Sequence, residues 1–163
     1  MIIRPAEQSD ADALVAIANP IIAETTITFS STLRTRRSMR AYIAARRETF
    51  FVAETGGEVT GYATCAPFRS GSGYVRTFEH TILLAPGARG QGQGRALMEA
   101  LTQCLVPQGA GSLVGAISAE NAQGIDFHAA LGFTQVGRIP SAGWKFDRWI
   151  DLVLMQKMLT ASA

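Results

Sequence analysis

The stretch TILLAPGARGQGQGRALMEAL, residues 81–101, decides the fold and the ligand expected of this chain. An apolar run ends at a Pro-Gly pair, glycines follow at every second position, and an amphipathic helical pattern begins. Glycine lacks a Cβ atom and tolerates positive φ, so Gly90, Gly92 and Gly94 would let successive backbone N–H groups point into one concavity. At a helix N-terminus such a concavity suits a phosphate, because the helix dipole adds partial positive charge. The stretch therefore predicts a strand, a phosphate-binding loop and a helix.

Two common nucleotide-binding motifs do not fit this loop. A Walker loop ends in Gly-Lys-Ser/Thr, which is absent here. The dinucleotide fingerprint has G-x-G-x-x-G spacing near the first strand of a βαβ unit, whereas this loop has G-x-G-x-G spacing in mid-chain. On the glycines alone, a glycine-rich turn without a ligand is as good an interpretation as a phosphate site.

Composition describes one ordinary globular domain, residues 1–163, with 47% hydrophobic and 17% charged residues. The formal net charge of +2 is too small to indicate a nucleic-acid partner. The N-terminal residues lack a signal-peptide pattern, and no apolar run is long enough for a bilayer, so no membrane partner is expected. Cys65 and Cys104 are expected to be reduced core residues, which favours a cytoplasmic location.

Strand and helix patterns alternate along the chain around one expected sheet. Gly56-Gly57 predicts a hairpin turn, and the continuous apolar run at 112–118 predicts a strand in the middle of the sheet. A helix is expected from Asn121 to about Leu131. Two last strands are expected to be joined by a loop at residues 140–147. These patterns predict a mixed α/β domain.

A wider pattern resembles the GNAT superfamily of N-acetyltransferases. The family signature Q/R-x-x-G-x-G/A is matched by residues 89–94, and AENAQGIDFHAALGF resembles the second coenzyme-A element. TTITF, TFEHTILL and VGRIPSAGWKFDRWIDLVLMQK are similar to phosphinothricin and methionine sulfoximine acetyltransferases, and the similarity covers nearly the whole chain. The resemblance implies a mixed, mostly antiparallel sheet of about seven strands and about four helices, with strands 4 and 5 splayed apart. It also implies a homodimer.

The resemblance further implies that acetyl-coenzyme A (acetyl-CoA) binds at the glycine loop and the strand before it. Backbone N–H groups of that strand are expected to stabilise the thioester oxygen. No metal site is expected. The implied cofactor-binding residues are Ile82, Leu83, Leu84, Arg89, Gly90, Gln91, Gly92, Gln93, Gly94, Arg95 and Asn121.

Three residues are candidates for proton transfer. Glu79 lies on the strand before the loop, where its carboxylate could take a proton from an ammonium group; the alternative is a solvent-facing strand residue. His80 could contact substrate, assist proton transfer or pack beside the strand. His128 stands where many family members carry a general-acid tyrosine, and water is the alternative acid for the leaving thiolate.

The expected acceptor is the α-amine of a small amino-acid-like substrate. Arginine suits bidentate capture of a carboxylate or phosphinate, although a solvated loop arginine is the alternative for each position. The implied substrate-binding residues are Phe29, Arg69, Tyr74, Arg76, Glu79 and Thr81, and Lys145 and Trp149 could complete the pocket, from a neighbouring subunit if Trp144 marks an interface. Two further hypotheses are a protein N-terminal or lysine acetyltransferase and a non-catalytic acyl-CoA sensor.

Overall fold

A computed structural model describes residues 1–159, in which seven strands form one sheet covered by four α-helices. The sequence predicted a mixed domain of this composition, and the prediction is confirmed. The last four residues of the expected domain, 160–163, lie outside the described part. The elements are β1 (Ile2–Pro5), α1 (Ala11–Glu24), α2 (Arg36–Ala45), β2 (Phe50–Thr55), β3 (Glu58–Pro67), β4 (Thr77–Leu84), α3 (Gln93–Leu105), β5 (Ser112–Ser118), α4 (Ala122–Ala130), β6 (Thr134–Lys145) and β7 (Arg148–Met158).

The sheet has the strand order β1-β2-β3-β4-β5-β7-β6, and all neighbours are antiparallel except β4 and β5. The parallel pair is short, with a register that runs from Thr77↔Ser112 to His80↔Gly115. Residues 81–84 of β4 and 116–118 of β5 have no pairs with each other, although each strand keeps its other neighbour. Strands 4 and 5 therefore splay apart after His80, as expected.

Turns and caps explain where several elements end. Gly56 and Gly57 have φ angles of +62° and +84°, which only glycine adopts easily, and they close the predicted β2–β3 hairpin. Asn121 caps α4, because its side chain accepts a hydrogen bond from the Gly124 N–H at 2.9 Å. Gly132, with φ of +86°, follows the helix as the sequence predicted.

The hydrophobic core fills both faces of the sheet. One cluster joins the sheet to α3, with Leu97, Leu101, Leu105, Leu113 and Val153 among its members. The other joins the sheet to α1 and α2, with Leu14, Met39, Ile43, Phe50 and Val52 among its members. Helices on both faces leave the opening between β4 and β5 as a gap that a ligand can enter.

The segment 140–147 is not the loop that the sequence predicted. Strand β6 continues to Lys145, and a tight turn at Phe146 and Asp147, both with positive φ, leads into β7. Alternation along the strand buries Lys145 and exposes Trp144, which lies opposite Trp149 in the register. The segment is rich in residue types that are common in loops, so the alternation expected of a strand was not recognisable in the sequence.

Both cysteines are free, and Cys65 is buried as expected. The expectation of burial is wrong for Cys104, which is partly exposed on α3 and whose Sγ donates to the Glu48 carbonyl at 3.1 Å. The helical spacing places Cys104 at the margin of the core face. None of the helices within residues 1–159 has the length and hydropathy needed to cross a membrane.

Candidate active site

Two cavities of about 410 Å³ each adjoin where β4 and β5 separate. The loop cavity lies between the glycine loop, the end of β4 and α4. The Glu79 cavity lies between α1, the segment 27–34, β4 and β5. Their common wall consists of Ile27, Ile82, Leu83, Asn121 and His128. Because both cavities reach these five residues, a ligand in one cavity can contact a ligand in the other beside them.

The glycine loop forms one end of the loop cavity. Gly90 and Gly92 have φ angles of +74° and +80°, and a Cβ atom at either position would meet no protein atom within 4 Å. Both glycines line the cavity, as do the side chains of Arg89 and Arg95. Positive φ at alternate residues, a following helix N-terminus and two cations together suit a diphosphate.

Gly94 also lines the loop cavity and has a further role in helix packing. A Cβ atom there would lie 2.9 Å from Cε2 of Phe127, so glycine lets α3 approach α4 closely. The side chains of Gln91 and Gln93 turn away from the cavity: Gln91 donates to the Gly87 carbonyl at 2.7 Å, and Gln93 is buried and accepts from the Thr60 hydroxyl at 2.7 Å. At these two positions only the backbone is available to a phosphate.

The end of β4 offers unpaired backbone to both cavities. Residues 81–84 pair with β3 on one side and have no partner from β5 on the other. Successive N–H groups of a strand point to opposite neighbours, so alternate N–H groups of this segment face the opening. Ile82 and Leu83 line both cavities, and Leu84 lines the loop cavity. The Ala85 N–H donates to the Thr60 carbonyl of β3, so by alternation the N–H of Leu83 also faces β3, and those of Ile82 and Leu84 are placed to bind a carbonyl oxygen at the junction.

Glu79 lies half-buried in the wall of the cavity named after it, beside Thr81. Burial raises the pKa of the Glu79 carboxyl above its usual range, and the nearby charge of Arg69 opposes that rise. A carboxylate with a raised pKa is a stronger base.

His80 and His128 form a buried pair at the junction. Their Nε2 atoms are 2.8 Å apart. The Nδ1 atom of His80 lies 2.9 Å from the Val114 carbonyl, and that of His128 lies 2.6 Å from the Gly124 carbonyl. Burial lowers the pKa of both imidazoles; repulsion from His128 further lowers that of His80, to about 3. The pair therefore does not carry two positive charges near neutral pH.

The β6–β7 hairpin fixes the segment that closes the Glu79 cavity. Nζ of Lys145 donates to the Thr28 carbonyl at 2.7 Å. The ring of Phe29 lies so close to Gly143 that a Cβ atom there would be 2.2 Å from Phe29 Cδ2. Phe29 lines the cavity as the sequence predicted, whereas Lys145 supports the segment from outside.

Three of the expected substrate-binding residues line neither cavity. The Arg76 guanidinium donates to the Gly109 carbonyl at 2.7 Å. Arg69 and Tyr74 both lie against Phe68, the guanidinium 5.3 Å from the ring centre and the tyrosine ring 6.2 Å from it. Arg69 remains close enough to Glu79 to affect its pKa. Within residues 1–159, Arg69 therefore acts on the site through its charge, whereas Tyr74 and Arg76 do not reach the cavities.

Sequence reasoning missed Arg34, which lines the Glu79 cavity together with Tyr42 and Tyr62. Its guanidinium lies over the Tyr42 ring, 4.6 Å from the centre, and has no ion-pair partner within residues 1–159. The charge run RTRRSMR, residues 34–40, is typical of the solvated face of a helix, and this concealed the position of Arg34. The signal was Thr35, which is the N-cap of α2 and so places Arg34 before the helix.

The described residues contain no group of three or more His, Cys, Asp or Glu side chains that could hold a metal ion.

Sequence and structure comparisons relate the chain to known proteins. A sequence model of the Acetyltransferase (GNAT) family matches residues 20–133. The L-methionine sulfoximine/L-methionine sulfone acetyltransferase of Pseudomonas paraeruginosa is 34% identical over 94% of this chain and 92% of its own length. The phosphinothricin N-acetyltransferase of Alcaligenes faecalis is 34% identical over 98% of this chain and 83% of its own length. A Salmonella typhimurium protein solved with its cofactor acetyl-CoA superimposes with a TM-score of 0.93 at 34% identity, covering 100% of this chain and 96% of that one.

Proposed function

Because the chain belongs to the GNAT family of acetyltransferases, we propose that it acetylates the α-amine of a small amino-acid-like substrate such as methionine sulfoximine or phosphinothricin. One observation carries the proposal. The loop cavity ends in a phosphate-binding loop, and it meets a second cavity that contains Glu79. Two substrates can thus bind at once and react directly where the cavities adjoin.

The loop cavity fits acetyl-CoA, which supplies the acetyl group as a thioester when it is bound. The open space before Gly90 and Gly92 accommodates a diphosphate, and Arg89 and Arg95 add positive charge. Asn121 lies on the wall shared by both cavities, where it caps α4 and contributes to the passage for the pantetheine arm. The cofactor role of Gln91 and Gln93 is limited to their backbone N–H groups, since their side chains bond elsewhere.

Glu79 acts as the general base in this proposal. The incoming amine is an ammonium ion near neutral pH and must lose a proton before it can attack a carbonyl carbon. Glu79 takes this proton, and burial in the cavity wall makes it a better acceptor than an exposed glutamate. The backbone N–H groups of Ile82 and Leu84, which face the opening, then stabilise the negative charge that develops on the carbonyl oxygen.

Arg34 binds the anionic part of the acceptor. The guanidinium lines the same cavity as Glu79. The cavity therefore offers a cation for the carboxylate or phosphinate of the acceptor and, at a separate position, a base for its amine. Phe29 and Thr81 line the space between α1 and β4 and complete the acceptor pocket. The positive charge of Arg69 lowers the pKa of Glu79 and so helps to keep the Glu79 carboxylate ionised.

The enzyme works in the cytoplasm as a homodimer in this account. The two free cysteines suit a reducing compartment. Trp144 and Trp149 are 54% and 61% exposed and stack edge to face at 5.0 Å on the β6–β7 hairpin, which makes that hairpin the candidate interface. Sedimentation should show a dimer that Trp149→Ser weakens, and a monomeric wild-type protein would contradict this part.

A thiol-release assay tests the activity. Purified protein with acetyl-CoA should release free thiol in the presence of methionine sulfoximine, phosphinothricin or a related L-amino acid. Faster acetylation of peptides at the N-terminus or at lysine would favour a protein acetyltransferase. Tight coenzyme binding without turnover on any acceptor would favour a non-catalytic sensor.

A further inference from the structure

The His80–His128 pair presents a proton-counting problem. Three contacts hold the two rings: Nε2 to Nε2, and each Nδ1 to a backbone carbonyl oxygen. A carbonyl oxygen can only accept, so each Nδ1 must carry a proton. Both Nε2 atoms would then be lone-pair nitrogens in the neutral pair, facing each other at 2.8 Å.

No arrangement of two neutral imidazoles satisfies all three contacts. Each neutral ring carries one proton, so the pair has two protons for three contacts. Moving a proton from Nδ1 to Nε2 repairs the contact between the rings but leaves a lone pair facing a carbonyl oxygen. One additional proton satisfies every contact and gives the pair a single positive charge.

Several neighbouring residues pack against both rings. A Cβ atom at Gly115 would lie 3.0 Å from His80 Cε1 and 3.2 Å from His128 Cδ2, so glycine on β5 lets both rings lie against that strand. Phe127 packs edge-on against His128, and Phe133 lies 5.4 Å from the His80 ring and 5.2 Å from the His128 ring. Within residues 1–159 the rings form no hydrogen bond or ion pair with any carboxylate or basic group. Glu79, next along β4, is the adjacent carboxylate in the sequence.

We infer that His80 and His128 share one extra proton near neutral pH and form a fixed cation at the junction of the two cavities. Burial opposes this charge, because it lowers the pKa of each ring. The three hydrogen bonds of the charged pair outweigh that cost, since the neutral pair leaves two lone pairs facing each other. This inference rests on the proposed function for its role. His128 lines both cavities, so the charge lies beside the place where the two substrates meet. Both nitrogens of each ring are engaged within the protein, which leaves no nitrogen free to donate a proton into either cavity.

The cation therefore acts through its field and not as a general acid. During acetyl transfer Glu79 takes one proton from the ammonium group, the C–N bond forms, and the C–S bond breaks with its electron pair on sulfur. The nitrogen loses its second proton as the intermediate collapses, and this proton passes through solvent to the sulfur, which is released as the free thiol. The shared proton stays between the rings, while its charge stabilises the departing thiolate. His80 is a positioning residue in this scheme, because it keeps His128 charged.

Nuclear magnetic resonance of the free protein tests the proton count directly. The chain has two histidines, so ¹⁵N-histidine labelling of an untagged protein reports on this pair alone. At pH 7 we expect both Nδ1 atoms to be protonated and one far-downfield proton to couple to the Nε2 atoms. Two lone-pair Nε2 signals, or an unprotonated Nδ1, would overturn the inference.

His80→Gln tests the role of the charge. The glutamine amide can donate a neutral hydrogen bond to Nε2 of His128. The hydrogen bond at that atom is therefore kept, while the extra proton is lost. We expect the downfield proton to disappear and kcat to fall roughly 10- to 100-fold, with the Kd for acetyl-CoA unchanged. Wild-type kcat in this variant would refute the catalytic role even if the wild-type proton count is as expected.

These results separate the inference from the proposed function. The proton count is measured without coenzyme or acceptor, so it does not depend on turnover. Protein that shows the shared proton but releases no thiol with any acceptor would leave the buried cation standing and reject the acetyl-transfer proposal.

Discussion

The glycine loop, proposed to bind the diphosphate, is one contiguous stretch, residues 89–95, whereas the Glu79 cavity takes its wall from segments that are far apart in the sequence. Phe29 and Arg34 precede α2, Tyr62 belongs to β3, Glu79 to β4 and Leu152 to β7. The loop is specified by backbone geometry and the cavity by long-range packing. A change in the loop should therefore remove coenzyme binding alone, and a change in the cavity should affect the acceptor or the chemistry alone.

The largest effect is expected for Gly92→Val. A β-branched residue is strained at φ of +80°, and its Cβ would occupy the open space that suits the diphosphate. We expect the Kd for acetyl-CoA to rise at least about 100-fold, or ~2.7 kcal/mol, in a calorimetric titration.

Gly56→Val is the matched control for this change. Gly56 also has positive φ, +62°, with no protein atom near a Cβ, but it lies in the β2–β3 turn away from both cavities. The control should lose stability and keep coenzyme affinity. Equal losses of affinity in the two variants would mean that backbone strain, and not the phosphate site, explains the effect.

Glu79→Gln should produce the second largest effect. The amide keeps the shape of the side chain but cannot accept the ammonium proton, so kcat should fall about 100-fold while the Kd for acetyl-CoA stays unchanged. Steady-state kinetics and calorimetry measure the two quantities separately. The control is Glu99→Gln, an exposed position on α3 that should retain full activity. Undiminished kcat in Glu79→Gln would exclude Glu79 as the base.

Arg34→Gln should raise the KM for the acceptor and leave the Kd for acetyl-CoA unchanged. Loss of the cation that binds the acceptor's anionic group should raise KM for the acceptor about 10-fold, since a charge-assisted hydrogen bond contributes ~1.5 kcal/mol or more. Arg37→Gln, on the exposed side of α2, is the control. If KM for the acceptor is unchanged in Arg34→Gln, the anionic group binds elsewhere, and Arg69 becomes the next candidate.

Arg69→Gln should have the smallest effect, a shift in pH dependence. Glu79 must be ionised to act as a base, so kcat/KM should fall as the pH drops through its pKa. Burial raises that pKa and Arg69 lowers it, so removal of Arg69 should raise it further and move the acidic limb to higher pH. A pH–rate profile measures the shift, with Arg47→Gln, exposed before β2, as the control. A limb that moves to lower pH would contradict the assigned interaction.

Sequence predicted those parts of the molecule that are encoded locally. The glycine loop, the Gly56-Gly57 turn and the start of α4 at Asn121 were all readable from short stretches. The splay of β4 and β5 was implied by family resemblance, and the register confirms it. Residue spacing alone could not predict it, because it depends on which strands become neighbours.

The parts that sequence did not reveal depend on distant contacts. Arg34 lies in the Glu79 cavity because Asn19 of α1 bonds its backbone, with the Arg34 N–H donating to Asn19 Oδ1 at 2.8 Å. Gly94 lines the loop cavity as its spacing suggested, and it also lets α3 pack closely against Phe127, which its spacing did not reveal. The pairing of His80 with His128 joins β4 to α4 across 48 positions. No local pattern distinguishes such residues from their neighbours.

A crystal structure with coenzyme A and methionine sulfoximine bound would show where both ligands lie relative to the glycine loop and Glu79. We expect the diphosphate on the N–H groups of residues 90–94, the coenzyme sulfur at the wall formed by Ile82 and His128, and the acceptor amine facing Glu79. A diphosphate bound away from the glycine loop, or an acceptor amine on the far side of the sheet from Glu79, would contradict this arrangement.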